Sequence, residues 1–324
     1  MSQHRALLFA MALCAGVPGA GEVKGQYLRK NAIVEAVNKT RDAVVTLKVT
    51  REPGHGKREI VGTGVVIDER GFAVTNYHVV EGATAIQATL ANRTKVTATV
   101  HATSARNDLA ILRLPVKGKV KALPVASGAD LMVGETVIAV GNPFGFDNTV
   151  STGIVSALGR EITGPTDETM AGLIQHSASI NPGNSGGPLL NVNGELIGIN
   201  VALREGAQGI SFAINAETVK EVLSCQLSAA KVAKVSHGLT VGEAVEGEGV
   251  DRQRVVVEKV RSAGERAGLR KGDVIVKVGD FDLRNRFDVE RAFWGCKPGD
   301  TVRAVVVRDG RPTTSAITGG AEAE

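Results

Sequence analysis

Ser185 stands inside the run Asn181-Pro182-Gly183-Asn184-Ser185-Gly186-Gly187-Pro188-Leu189, where glycines surround a single hydroxyl. Glycine reaches backbone conformations that strain other residues, so such a turn can present the hydroxyl and aim the amides of Gly183 and Ser185 at one oxygen. Acyl transfer by serine needs that attacking hydroxyl, a base to take its proton, a group to orient the base, and donors for the oxyanion. Two other residues can complete the set. His78, in Val74-Thr75-Asn76-Tyr77-His78-Val79-Val80, is expected at the end of an apolar strand, where an imidazole can face a cleft. Asp108, in Arg106-Asn107-Asp108-Leu109-Ala110-Ile111-Leu112, precedes a second apolar strand and reads as a half-buried carboxylate. Taken singly, each has an ordinary explanation: Gly, Asn, Pro and Ser also build plain turns, an aspartate can cap one, and the chain holds six histidines.

The elements that must position these groups are short strands. Runs rich in Val, Ile and Thr are predicted as strands over 43–50, 64–67, 72–75, 85–90 and 95–101, with Asp68-Glu69-Arg70-Gly71 as a hairpin turn. A second set follows over 137–140, 149–156, 187–190, 196–201 and 210–214, with Asn193-Gly194 turning a hairpin. Two successive all-β units of similar length suggest paired barrels with a cleft between them. The base and its orienting carboxylate fall in the first unit and the hydroxyl in the second. That chain order, His then Asp then Ser, is the chymotrypsin order. Asn215 is predicted to cap a helix carrying Val219, Val222, Leu223 and Leu227 at helical spacing, which closes the unit at 228. A linker is expected over 229–236, a second small domain over 237–318 and a frayed tail over 319–324. Within the second domain, strands are expected at 255–260, 274–278 and 302–308, a helix near 288–293 and a turn at Asp309-Gly310.

These motifs resemble the HtrA (Deg) family of serine proteases across nearly the whole chain. The resemblance rests on Thr75 to Val79, Asp108-Leu109-Ala110, Gly141-Asn142-Pro143-Phe144-Gly145, Thr152 to Ala157 and Asn181 to Leu189, in that order. It implies a fold dominated by β structure, a trypsin-like double β-barrel followed by a small α+β PDZ domain. Also implied is an ATP-independent endopeptidase acting on unfolded or misfolded proteins, assembled as a homotrimer or a multiple of trimers. Ser185 then becomes the nucleophile, His78 the general base, Asp108 the orienting carboxylate, and Gly183 with Ser185 the oxyanion donors. No metal or cofactor is implied. Six residues before the nucleophile, where this fold lines its pocket floor, stands Ser179, and Val201, Ala202 and Ile210 are expected as walls. With no floor carboxylate, such a pocket implies cleavage after Val, Ala or similar residues. Gln175-His176-Ser177-Ala178-Ser179 departs from the family's usual Gln-Thr-Asp-Ala-Ala, and His176 is read as structural. The segment 51–60 is short for a loop that in some relatives reaches other subunits, and Tyr27 is a candidate trimer contact.

In the second domain, Ala267-Gly268-Leu269-Arg270-Lys271-Gly272-Asp273-Val274-Ile275 resembles a PDZ hallmark. Such domains add a peptide as an extra strand and hold its C-terminal carboxylate with loop amides. Leu239, Thr240 and Val241 are the expected capture residues, although relatives commonly have glycine where Thr240 stands. A domain kept only for packing is the competing reading.

The remaining features narrow the setting. The 324 residues include 43% apolar ones, enough for two ordinary cores. A net charge of +4 is spread along the chain and aromatic residues make up 3%, so nucleic acid is not an expected partner. Arg5, the uncharged run 6–17 and the small residues Gly19, Ala20 and Gly21 read as a signal peptide over 1–20, which marks the chain for export; the family resemblance implies the periplasm as its destination. A retained membrane anchor facing the periplasm is the alternative, and it would need about 20 apolar residues. Cys14 leaves with the signal, and export permits but does not require a disulfide between Cys225 and Cys296. A chaperone or peptide-binding adaptor using the same cleft is the rival class, and the intact trio of His78, Asp108 and Ser185 argues for chemistry.

Overall fold

The computed structural model describes residues 29–52, 56, 58–126, 130–141, 149–163, 169–201, 209–246 and 253–321. The expected signal peptide, Tyr27, Ala202 and most of the Gly141 to Gly145 motif lie outside them. After helix α1 (Ala32–Thr40), β-branched runs close a barrel from β1 (Val44–Arg51), β2 (Arg58–Asp68), β3 (Phe72–Thr75), β4 (Ala85–Thr89), β5 (Lys95–Ser104) and β6 (Leu109–Arg113). Helix α2 (Tyr77–Val80) is a single turn between β3 and β4. The second barrel comprises β7 (Thr136–Gly141), β8 (Thr149–Thr163), β9 (Thr169–His176), β10 (Pro188–Leu190), β11 (Leu196–Val201) and β12 (Ser211–Asn215). Closure leaves neither barrel with an unpaired edge.

Local chemistry explains the junctions. Gly71 and Gly194 turn their hairpins at φ 93° and 76°, in the left-handed region that favours glycine. Asn215 caps α3 (Ala216–Gln226) by accepting from the Thr218 amide at 2.9 Å, and Val219 and Leu223 bury on one face. The stretch expected as a linker, 229–236, is instead ordered: α4 (Ala229–Ala233) and β13 (Val235–Ser236) occupy it, with Ala229 and Val235 both 0% exposed. Nor is the expected tail frayed throughout, because β20 (Gly320–Ala321) pairs with β13.

The second domain has β14 (Leu239–Val245), β15 (Gln253–Val260), α5 (Ala263–Arg266), β16 (Val274–Val278), β17 (Phe281–Asp282), α6 (Arg286–Ala292), β18 (Thr301–Arg308) and β19 (Arg311–Thr318). Its main sheet runs β14-β15-β16-β18-β19, so β14 lies at an edge. This domain is docked on the first barrel through polar and aromatic contacts. Asp68, wholly buried at the end of β2, receives Arg291 of α6 at 2.8 Å and Arg70 at 2.8 Å. Burial pushes the Asp68 carboxyl up, but the hydrogen bond from Arg70 and the Arg291 charge outweigh it and hold the group below the usual carboxylate range. Trp294 lies edge-on to Phe72 with centroids 5.2 Å apart and donates its indole N–H to the Leu227 carbonyl at 2.9 Å. Lys220 of α3, also fully buried, pairs with Glu217 at 2.9 Å and with Glu243 of β14. Cys225 and Cys296 are both free thiols.

Candidate active site

Strand β3 is buried along its length and delivers the chain into α2, so His78 rides on a helical turn rather than on the strand end that its sequence suggested. One turn cannot satisfy its own last carbonyls. Arg51, at the end of β1, donates from Nη2 to the carbonyl of His78 and, at 3.3 Å, to that of Val79. This guanidinium fixes the turn that carries the imidazole, and nothing in the sequence marked it, because its partners are backbone atoms 27 and 28 residues away.

Asp108 follows a 3-10 turn and adopts φ 48° and ψ 41°, a left-handed conformation that aspartate tolerates better than most residues. Fully buried, its carboxylate is nonetheless satisfied: Oδ1 accepts the His78 amide at 2.9 Å and Oδ2 lies 2.7 Å from His78 Nδ1. The Asp108 carbonyl in turn accepts the Tyr77 amide at 3.0 Å and Asn76 Nδ2 at 3.1 Å. A carboxylate at Nδ1 fixes the tautomer, with the proton on Nδ1 and the lone pair on Nε2. The His78 side chain keeps 21% exposure, so the pair is buried on one side and open on the other.

The serine turn belongs to the second barrel but is bolted to the first. Thr63 of β2 donates its amide to the Ser185 carbonyl at 3.0 Å and its hydroxyl to the Gly183 carbonyl at 2.7 Å. Thr75, three residues before His78, donates its hydroxyl to the Thr63 carbonyl at 2.7 Å. Gly186 has φ 81°, and a Cβ there would sit 2.1 Å from Thr75 Oγ1 and 2.2 Å from the Thr63 carbonyl. Only glycine allows this approach. Gly183 is at φ 100°, and Ser185 is 6% exposed. One cluster therefore joins the approach to His78 with the turn that holds Ser185.

The expected specificity residues differ in exposure. Ser179 is exposed, its carbonyl fixed by Ser151 Oγ at 2.7 Å, and Ile210 is 46% exposed. Val201 is 1% exposed within the apolar core, opposite Phe212 across the ladder. Ser177, where the family pattern has an acid, accepts the Ile154 amide through its hydroxyl at 3.0 Å. His176 is fully buried, and burial lowers its pKa to about 4; the Phe212 backbone offsets part of that without closing a well-formed hydrogen bond. Among the described residues no group of three His, Cys, Asp or Glu converges as a metal site.

In the second domain, Leu239, Thr240 and Val241 lie within β14 rather than in a loop. Leu239 and Thr240 line a cavity of about 320 Å³ together with His237, Gly238, Arg261 and Glu290, whereas Val241 lies outside that lining. His237, at the mouth of β14, is not among the capture residues that the sequence singled out.

Residues 62–199 match the family model for a trypsin-like peptidase domain, and residues 197–318 match that for a PDZ domain. The chain is 38% identical over 265 residues to the chloroplastic Protease Do-like 1 of Arabidopsis thaliana, covering 76% of this chain and 60% of that protein. It is 36% identical over 279 residues to a probable periplasmic serine endoprotease, DegP-like, of a Marinomonas species, covering 82% and 58% respectively. The chain thus spans less than two thirds of the length of either relative. Among solved structures, the HtrA-type protease AlgW with tripeptide is similar at TM-score 0.56 and 29% identity, over 90% of this chain and 98% of that one.

Proposed function

Since the chain belongs to the HtrA family of serine proteases with a trypsin-like domain and a PDZ domain, we propose that it is an ATP-independent endopeptidase that cleaves unfolded or misfolded proteins in the cell envelope. The observation that carries this reading is the His78 and Asp108 pair, 2.7 Å apart, on an element tied through Thr75 and Thr63 to the turn of Ser185. In this mechanism, His78 Nε2 takes the proton of Ser185 Oγ as that oxygen attacks the peptide carbonyl. Asp108 holds the ring and stabilises the imidazolium, and the amides of Gly183 and Ser185 receive the oxyanion. His78 then gives the proton to the leaving amine, and water repeats the cycle on the acyl-enzyme.

Ser179 and Ile210 supply a small, uncharged primary pocket, favouring cleavage after Val or Ala. The PDZ domain, with β14 at its sheet edge, captures peptide C-termini by strand addition. The envelope location draws on relatives named as periplasmic, and a trimeric assembly follows the family. Degradation of an unfolded casein-like protein by the wild type and by Ser185→Ala tests the reading. The variant should lose about 10⁴-fold or more of the rate. Equal rates for the two proteins would refute it.

A further inference from the structure

The mouth of the PDZ pocket is chemically unusual, because a histidine occupies the amide that a carboxylate would need. Gly238 sits at φ 70°, and a Cβ there would lie 2.0 Å from the Arg261 carbonyl, so the tight turn into β14 requires glycine. Its carbonyl accepts the Arg261 amide at 2.7 Å. The next amide, that of Leu239 at the start of the edge strand, is the type of donor that receives a terminal carboxylate in strand addition. Here it donates to His237 Nδ1 at 3.2 Å.

That bond dictates the state of the ring. Accepting at Nδ1 requires a lone pair there, which leaves the neutral imidazole's proton on Nε2. Nε2 lies 3.3 Å from both oxygens of Glu290. Glu290 Oε2 is also held by the Ala229 amide at 2.7 Å, and Phe293 stacks on the imidazole with centroids 5.0 Å apart. With 7% exposure, His237 has little freedom to swing away. A carboxylate entering this pocket meets an amide already used and an anion, Glu290, facing it.

We propose that capture of a peptide C-terminus at this pocket is gated by protonation of His237, so that binding tightens as the pH falls. An imidazolium carries hydrogen on both nitrogens and cannot accept from the Leu239 amide, which is released to the ligand. Its charge neutralises Glu290 and adds a donor for the incoming carboxylate. The charged groups facing the site are Glu290 from α6 and Arg261 from the end of β15; the other polar lining residues, Ser228, Ser236, Thr240 and Ser262, do not titrate. Imidazole is the side chain that ordinarily changes charge between about pH 5 and about pH 8. The inference rests on the reading that this pocket captures C-termini.

The test uses the full chain carrying Ser185→Ala, to prevent cleavage, and a labelled peptide with an apolar last residue and a free carboxylate, followed by fluorescence anisotropy. Affinity should rise about tenfold or more between about pH 8 and about pH 5.5, and the same peptide as a carboxamide should not show the rise. His237→Leu, which neither accepts nor charges, should bind at both pH values more tightly than the wild type does at the higher one. His237→Gln, which keeps an acceptor but never charges, should bind weakly at both. Equal wild-type affinity at the two pH values, or an unchanged response in His237→Leu, overturns the gate while leaving capture itself intact. If no protein binds the free-carboxylate peptide at either pH, the capture reading falls and the gate with it.

Discussion

Among the described residues, two histidines meet a carboxylate, and they do so with opposite ring polarity. His78 offers Nδ1 to Asp108 at 2.7 Å, so the anion holds the Nδ1 proton and Nε2 is left as a base on the open side. His237 offers Nε2 to Glu290 at 3.3 Å, and its Nδ1 lone pair is occupied by the Leu239 amide. Asp108 is fully buried and takes two donors from one residue, ring and backbone together, whereas Glu290 keeps 16% side-chain exposure and divides itself between α4 and the ring. The pairing of residue types alone does not set the chemistry. Which nitrogen faces the anion decides whether the ring becomes a base or a latch.

Substituting the carboxylates separates the two roles. Asp108→Asn retains the shape but lets an amide N–H face the ring, reversing the tautomer, and should lower kcat by about 10⁴ while circular dichroism reports an intact fold. A third histidine sharpens the contrast, because His176 is buried and forms no ion pair among the described residues. Its folded pKa, about 4, lies below the ordinary value of 6.5, so the unfolded chain binds the proton first. The stability associated with this neutral ring is present above pH 6.5 and lost as the pH falls to 4, by about 3 kcal/mol. Denaturant melts of His176→Met across that window should lack this part of the slope, and an unchanged slope would place the titration elsewhere. A smaller effect is expected at Arg51, which positions the turn of His78 through backbone carbonyls. Arg51→Met should reduce kcat about 10- to 100-fold with little change in KM, as expected when a base is slightly misplaced; a change confined to KM would assign Arg51 to substrate binding instead. The smallest change belongs to Glu290→Gln, which removes the anion that faces an incoming carboxylate. Peptide affinity at about pH 8 should rise, and a fall would contradict the assigned role.

Where the determinants are local, the sequence was readable. Asn193-Gly194 and Asp309-Gly310 turn their hairpins, with Asp309 and Gly310 both at positive φ, and Asn215 caps its helix. The glycines about Ser185 announce a backbone that must bend tightly and be approached closely. What escaped depends on contacts between distant residues. The predicted strands omit β9, although its residues pair with both β8 and β12. The stretch 229–236 reads as a linker by composition, yet a β-bridge from the other end of the domain orders it. Asp68 and Arg291 stand 223 residues apart, and no spacing rule relates them. Val201 was expected at a pocket wall from the family resemblance, which carries over a position but not its exposure: every residue of β11 is buried, and Val201 packs in the core.

The seam between the domains has a spectroscopic consequence. Trp294 is the chain's sole tryptophan, 9% exposed, with the Arg70 guanidinium 4.2 Å above its ring and Phe72 of the first barrel at its edge. Intrinsic indole emission from this protein therefore comes from one place, the join between the first barrel and the PDZ domain. Separation of the two would wet the indole and shift its emission to longer wavelength, so an unlabelled sample carries its own optical gauge of domain docking.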